Sequence, residues 1–206
     1  MHATEPTVEL PLFPLQAVLF PGGRLTLKIF EARYLDLIGS CLREQRPFGV
    51  VTLRSGHEVR RPDERVAFEP IGTLAELLDV DSDTPGILHV TCCGRSRFGM
   101  RDSRQRDDGL WLAHTDAIAD DATVEPGATQ REAVRGLRDA MASLKAQSVV
   151  PFLEPFRFDD AGWVANRWCE LLPIPQAAKY KLMTLPDPAM RLKLVDDFLR
   201  SEGVIA

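Results

Sequence analysis

The sequence predicts an α+β protein in which a β-rich part over residues 1–120 is followed by an all-helical part over residues 121–206. Three observations carry this. From residue 7 to about 118, short apolar segments with period-two alternation recur between turn residues. Near residue 120 the composition changes to "DDATVEPGATQ", a linker-like stretch holding Pro126 and Gly127. Beyond it, apolar residues recur at helical spacing to about Gly203. With 206 residues and 45% hydrophobic content the chain is able to bury a core.

The first part opens with "LPLFPLQAVLFPGGRLTLKIFEARY" at 10–34. Each proline removes a backbone donor, so Pro11, Pro14 and Pro21 belong at strand edges, ends or turns, and Pro21-Gly22-Gly23 reads as a chain reversal. Leu25, Leu27 and Ile29 alternate with Thr26 and Lys28 as in a half-buried strand. Tyr34, Leu37, Ile38, Cys41 and Leu42 then form one stripe of a helix from about Glu31 to Arg43, with Glu31 expected in its first turn. Further strands are expected at 48–53, at 71–80, as two strands in 86–100 separated by Gly94, and at 110–119. Asp81 to Asp83 and Asp107-Asp108 read as hairpin loops between them. Strands at this spacing indicate a barrel or a sandwich rather than a βαβ sheet.

In the second part Thr129 and Glu132 suit a capping box, and Val134, Leu137, Met141 and Leu144 make the buried face of a helix to about Gln147. A Pro- and Phe-rich loop leads to a helix at about 160–172, stopped by Pro173 and Pro175. A short helix to about Met183 follows. Asp187 as N-cap and Pro188 in the first turn open a last helix that ends before Gly203.

Several function classes are disfavoured by composition. The net charge is −5 with both signs mixed along the chain, so no nucleic acid partner is expected. No apolar run is long enough to span a bilayer and none near the start resembles a signal peptide, so no membrane association and a cytoplasmic location are expected. Cys41, Cys92, Cys93 and Cys169 form no CxxC pair and read as reduced packing thiols, and no metal-ligand spacing or cofactor motif occurs. His57, His89 and His114 are scattered, and the offset of His89 from Cys92 puts the two on opposite strand faces.

The opening stretch closely resembles the start of the N-terminal, substrate-binding domain of Lon proteases, through its Leu-Pro-Leu start, "FPG" turn and "IFEARY" helix entry. The resemblance continues through "PFGVV" at 47–51, "IGTLAEL" at 71–77 and "GRSRF" at 94–98, and more weakly through "LLPIP" at 171–175 and "MRLKLVDDFL" at 190–199. It implies a PUA-like β-pseudobarrel with one inserted helix, followed by a C-terminal helical bundle. It also implies noncatalytic recognition of polypeptides in protein quality control. The residues that carry it are expected to be structural: Pro14, Pro21, Gly22, Phe30, Glu31, Tyr34, Phe48, Gly49, Gly72, Gly94 and Phe98. A Lon ATPase needs a Walker A lysine after glycine, and none of Lys28, Lys145, Lys179, Lys181 and Lys193 follows one. Ser143 and Lys145 lie two apart on a helix and cannot mimic the family's Ser-Lys dyad. Neither proteolysis nor nucleotide hydrolysis is expected.

Candidate peptide-binding residues are Phe152, Phe156 and Phe158 of "VVPFLEPFRF", whose rings either plug a seam or form an exposed apolar patch. Arg97 and Arg33 are candidates for holding a peptide carboxylate or backbone, against a reading in which an arginine pairs with Glu31. The expected partners are unfolded or specific polypeptide segments, with a protease or chaperone as a further partner class, and the expected state is a monomer or weak dimer. The alternative is a small-molecule binder or enzyme that uses a cleft between barrel and bundle.

Overall fold

Prolines enter a sheet where the ladder makes the fewest demands on them. In the computed structural model, which describes residues 9–59 and 65–205, strand β1 (Glu9–Leu15) is paired by different neighbours along its length. Glu9–Leu12 runs antiparallel to β7 (Trp111–Ala117), and Leu12–Leu15 runs parallel to β3 (Phe48–Ser55). Pro11 and Pro14 therefore each sit where β1 has a partner on one side, and the missing N–H disrupts no second ladder. Residues 1–8, where the β-rich part is expected to begin, lie outside the described residues.

The residues group into two units, one holding the chain up to Pro21 with Leu25–Ala119, the other holding Gly22–Arg24 with the chain from Asp120 on. In the first unit β5 (Ile71–Thr84) and β6 (Ile87–Gln105) form a long hairpin around Pro85-Gly86, where Gly86 has φ +80° as the turn requires. The strand order β1-β7-β6-β5-β3 closes on itself through the parallel β1–β3 pairing, making the pseudobarrel. The short β4 (Ala67–Phe68) extends β3, and β2 (Arg24–Ile29) pairs with β6. Parallel strands need a crossover, and β2 with α1 (Ala32–Glu44) supplies it between β1 and β3.

The stripe on α1 packs Tyr34, Leu37, Ile38 and Cys41 into one core with Leu15, Leu27, Ile29, Phe48, Val50, Val90 and Cys92. Two expectations for this helix are corrected. Leu42 is 51% exposed, because an eighth-residue continuation of the stripe has drifted off the buried face. Glu31 is the N-cap residue rather than part of the first turn, and its carboxylate makes no capping bond because it pairs with Arg33 at 2.9 Å.

The strand break expected at Gly94 is also corrected: β6 runs unbroken through it. A Cβ at Gly94 would lie 2.2 Å from the Phe20 carbonyl oxygen and 3.1 Å from Leu19, so this glycine marks a close backbone approach, not an end. What changes along β6 is the neighbour, since β5 covers Ile87–Gly99 and β7 covers Phe98–Gln105. Asp81 to Asp83 belong to the exposed end of β5, whereas Asp107-Asp108 form the expected turn, with Asp108 Oδ1 accepting from the Leu110 N–H at 3.0 Å.

The second unit contains α2 (Arg131–Ala146), α3 (Ala161–Leu171), α4 (Gln176–Thr184) and α5 (Pro188–Ser201). The expected Thr129–Glu132 box does not form. The entry to α2 is a 3-10 turn (Ala128–Gln130) in which Gln130 Oε1 accepts from the Gly127 N–H at 2.8 Å, and Glu132 instead pairs with Arg135 at 2.7 Å. On α2, Ala133 and Leu137 are buried while Val134, Met141 and Leu144 are half-buried. Helix α3 is central, buried from Ala161 to Cys169 and packed by α2, α4 and α5. Asp160 caps it, accepting from the Gly162 and Trp163 N–H groups, and Asp187 caps α5 in the same way. Arg191 of α5, 1% exposed, ties the unit together by donating to Asp121 Oδ2 at 2.6 Å, Asn166 Oδ1 at 3.1 Å and the carbonyls of Leu182 and Leu185.

Candidate functional site

Three of the sequence motifs meet at one ring. Phe98, 2% exposed, lies against two backbone positions that have no side chain: a Cβ at Gly49 would stand 2.8 Å from Phe98 Cζ, and a Cβ at Gly72 only 2.4 Å from it and 2.6 Å from the Val50 carbonyl oxygen. "PFGVV", "IGTLAEL" and "GRSRF" thus contribute two glycines and the phenylalanine they accommodate. Phe48 and Pro14 are buried in the same unit, as is Arg97 at 5% exposure. Arg33, 7% exposed, donates to the Gly109 carbonyl at 2.8 Å and the Glu58 carbonyl at 3.4 Å while it pairs with Glu31. Its guanidinium also lies over the Tyr34 ring at 4.5 Å. These placements put Arg33 and Arg97 inside the barrel unit.

The "IFEARY" segment has a second consequence at the surface. A groove of about 320 Å³ runs beside β2, lined by Leu25, Thr26, Leu27, Lys28, Ile29 and Phe30. Successive strand residues point to opposite faces, so a groove that touches five in a row, Leu25–Ile29, follows the strand's edge. Among the described residues β2 pairs with one strand, β6, which leaves that edge without a neighbour. Phe13, Leu15 and Tyr34 form the apolar far wall, where the Phe13 and Tyr34 rings stack at 4.0 Å. Burial raises the Tyr34 phenol to about 12 against the opposing pull of Arg33, so it stays neutral at physiological pH. Phe30, which lines the groove beyond the end of β2, is 55% exposed, and Glu31, Lys28 and Glu58 are its charged lining residues.

On the helical unit the three phenylalanines of the 149–158 loop separate by depth. Phe152 is buried, 6.2 Å from the Trp163 ring. Phe158 is half-buried, 5.2 Å from Trp163, and Phe156 is 39% exposed beside it. Val149 and Val150 are exposed on the same loop. Trp163 is the hub of this cluster. Gly22 and Gly23 group with this unit: Arg167, fully buried, donates to the Gly22 carbonyl and pairs with Glu170 at 2.8 Å. Gly22 has φ +72°, and a Cβ there would press on the Arg167 guanidinium at 3.1 Å.

Among the described residues no group of His, Cys, Asp and Glu is arranged to hold a metal ion, and no helix is long and apolar enough to cross a membrane.

Comparison with known proteins agrees with this architecture. Residues 9–201 match the family model described as the ATP-dependent protease La (LON) substrate-binding domain. The chain is similar to a crystal structure of a Lon N-terminal domain protein from Xanthomonas campestris, with 30% identity and a TM-score of 0.74 over 91% of this chain and 96% of that one. It shares its fold with the N-terminal domain of a Mycobacterium avium complex Lon protease, at 16% identity and a TM-score of 0.64 over 92% of this chain and 97% of that one. No curated protein sequence matches it.

Proposed function

Because the chain belongs to the family of Lon substrate-binding domains, we propose that it is a noncatalytic module that binds extended polypeptide segments along the open edge of β2. The observation that carries this is the apolar groove beside a strand that, among the described residues, pairs with β6 alone. An extended segment laid there exchanges main-chain hydrogen bonds with β2 and sends alternate side chains toward Phe13, Leu15, Leu27 and Tyr34. Affinity then comes from backbone pairing and selectivity from apolar residues at every second position.

Phe30 is the residue to test. With 55% of it exposed, roughly 110 Å² of an aromatic side chain of about 200 Å² is available to a ligand, worth at most about 2.7 kcal/mol at ~25 cal/mol/Å². Ordering costs reduce what appears as affinity, so Phe30→Ala is expected to weaken binding of a fluorescent, alternating apolar peptide by roughly tenfold to a hundredfold while leaving the melting temperature unchanged. Equal affinity in wild type and variant would remove the groove from the account.

A further inference from the structure

A second groove, of about 370 Å³, lies on the helical unit and is lined by Pro126, Arg131, Val134, Arg135, Arg138 and Phe158. Its character differs from that of the β2 edge. Arg131, Arg135 and Arg138 fall at i, i+4 and i+7 of α2 and so share one helix face. All three are exposed, and Val134 and Phe158 beneath them are half-buried. Arg135 is paired with Glu132. Arg138 is stacked on the Phe158 ring at 3.8 Å, a contact that holds the guanidinium plane in place and leaves its in-plane N–H donors facing outward. Among the described residues one carboxylate, that of Glu132, pairs with any of these three arginines, in a chain whose net charge is −5. The groove runs against the sign of the whole molecule.

We propose that this groove docks an extended acidic peptide segment, with two carboxylates four residues apart and an apolar residue midway between them, all three on one face of the segment. Seven helical residues from Arg131 to Arg138 span about 10.5 Å at ~1.5 Å each; same-face side chains of an extended chain recur every second residue, so carboxylates four residues apart stand about 13 Å apart at ~3.3 Å each, a separation the two long, flexible arginine side chains can meet. The carboxylates meet Arg131 and Arg138 as charge-assisted, bidentate partners, and the intervening side chain rests on Val134, Pro126 and Phe158. The observations favour a peptide over a nucleic acid, because the cationic face is one groove long and the exposed Glu125 and Asp139 border the lining residues in sequence, where they repel a continuous polyanion. This inference stands apart from the β2 groove and does not require it.

The test is fluorescence anisotropy at low salt with a labelled peptide of Glu-Ser-Leu-Ser-Glu core, its Lys-Ser-Leu-Ser-Lys counterpart, and a single-stranded oligonucleotide as competitor. The full chain is used as wild type, Arg131→Ala/Arg138→Ala and Phe30→Ala, with a thermal melt to show that each is folded. Arg131→Glu replaces the double variant if that one melts early. The expected result is salt-sensitive binding of the acidic peptide alone, weakened on the order of tenfold in the arginine variant and unchanged in Phe30→Ala. The proposal is overturned if the acidic peptide does not bind wild type, if the arginine variant binds it equally well, if Phe30→Ala abolishes the binding, or if the oligonucleotide binds more tightly than the peptide.

Discussion

Alanine at Gly49 and alanine at Gly72 are expected to fail in different ways, and the difference reports on how the barrel closes around Phe98. At Gly49 the new Cβ meets three side-chain ends, Leu10 and Phe98 at 2.8 Å and Leu12 at 2.9 Å. Carbon atoms prefer about 3.5–4.0 Å, so each must retreat by roughly 0.7 Å, an overpacking cost of about 1–3 kcal/mol. At Gly72 the Cβ meets Phe98 at 2.4 Å and also the Val50 carbonyl oxygen at 2.6 Å. Val50 is held in register with Thr73 between β3 and β5, so the oxygen cannot withdraw without opening the ladder, and Gly72→Ala should cost more than about 3 kcal/mol. Phe98→Leu removes the Cζ atom at its own cost of about 1–2 kcal/mol. In that background Gly49→Ala should become cheaper by about 0.5–2 kcal/mol, whereas Gly72→Ala should stay severe. Urea unfolding followed by far-UV circular dichroism measures the five variants against wild type. If Gly49→Ala costs the same with phenylalanine or leucine at 98, or if Phe98→Leu fully rescues Gly72→Ala, the packing argument is wrong.

Other outcomes follow from buried groups. Arg191→Met takes the Arg191 guanidinium away from the Asp121 carboxylate and from the Leu182 and Leu185 carbonyls, and breaking such a buried pair costs about 3–5 kcal/mol, seen as a melting temperature lower by roughly 10 °C; a melt within about 2 °C of wild type would contradict the linking role. Burial pushes the thiols of Cys92 and Cys169 from 9.0 up to about 12 and also raises Cys41. The unfolded chain therefore ionises these thiols first, so stability holds below about pH 9 and falls as pH climbs toward 12. Urea midpoints at pH 7 and pH 10 should show that fall, less steeply in Cys169→Ala, and a pH-independent midpoint would refute it. Because all four cysteines are buried, a thiol reagent should modify them only at the rate of unfolding; prompt labelling of the native protein would place a thiol at the surface.

The local elements were legible because they obey short-range rules. Alternation at Leu25, Leu27 and Ile29 marks β2, and Asp187-Pro188 marks the start of α5, since both signals lie within a few residues. The Lon-like motifs were legible as a series, but not the reason for them: that Gly49 and Gly72 make room for Phe98 depends on strand pairings between segments 23 to 49 residues apart in sequence. Gly94 misled for the same cause, because its neighbour Phe20 is remote. The buried arginines carry no local signal either, as Arg167 finds its acceptor at Gly22, 145 residues away. Irregular spacing in the 149–158 loop hides which ring is inside, so Phe152, Phe156 and Phe158 separate only in three dimensions. The β2 groove was invisible for a topological reason. Its existence depends on β2 having one neighbour, and Phe30 reads in sequence as one more apolar motif residue.

Amide hydrogen exchange of β2, with and without a saturating extended apolar peptide, tests the central claim most directly. If a segment adds to the open edge, amides within residues 25–29 that exchange rapidly in the free protein should slow on binding, and those of Thr73–Ala75 in β5, where β3 and β6 flank the strand on both sides, should not change. Binding that leaves residues 25–29 exchanging as before would contradict the claim that β2 is where this protein holds a polypeptide.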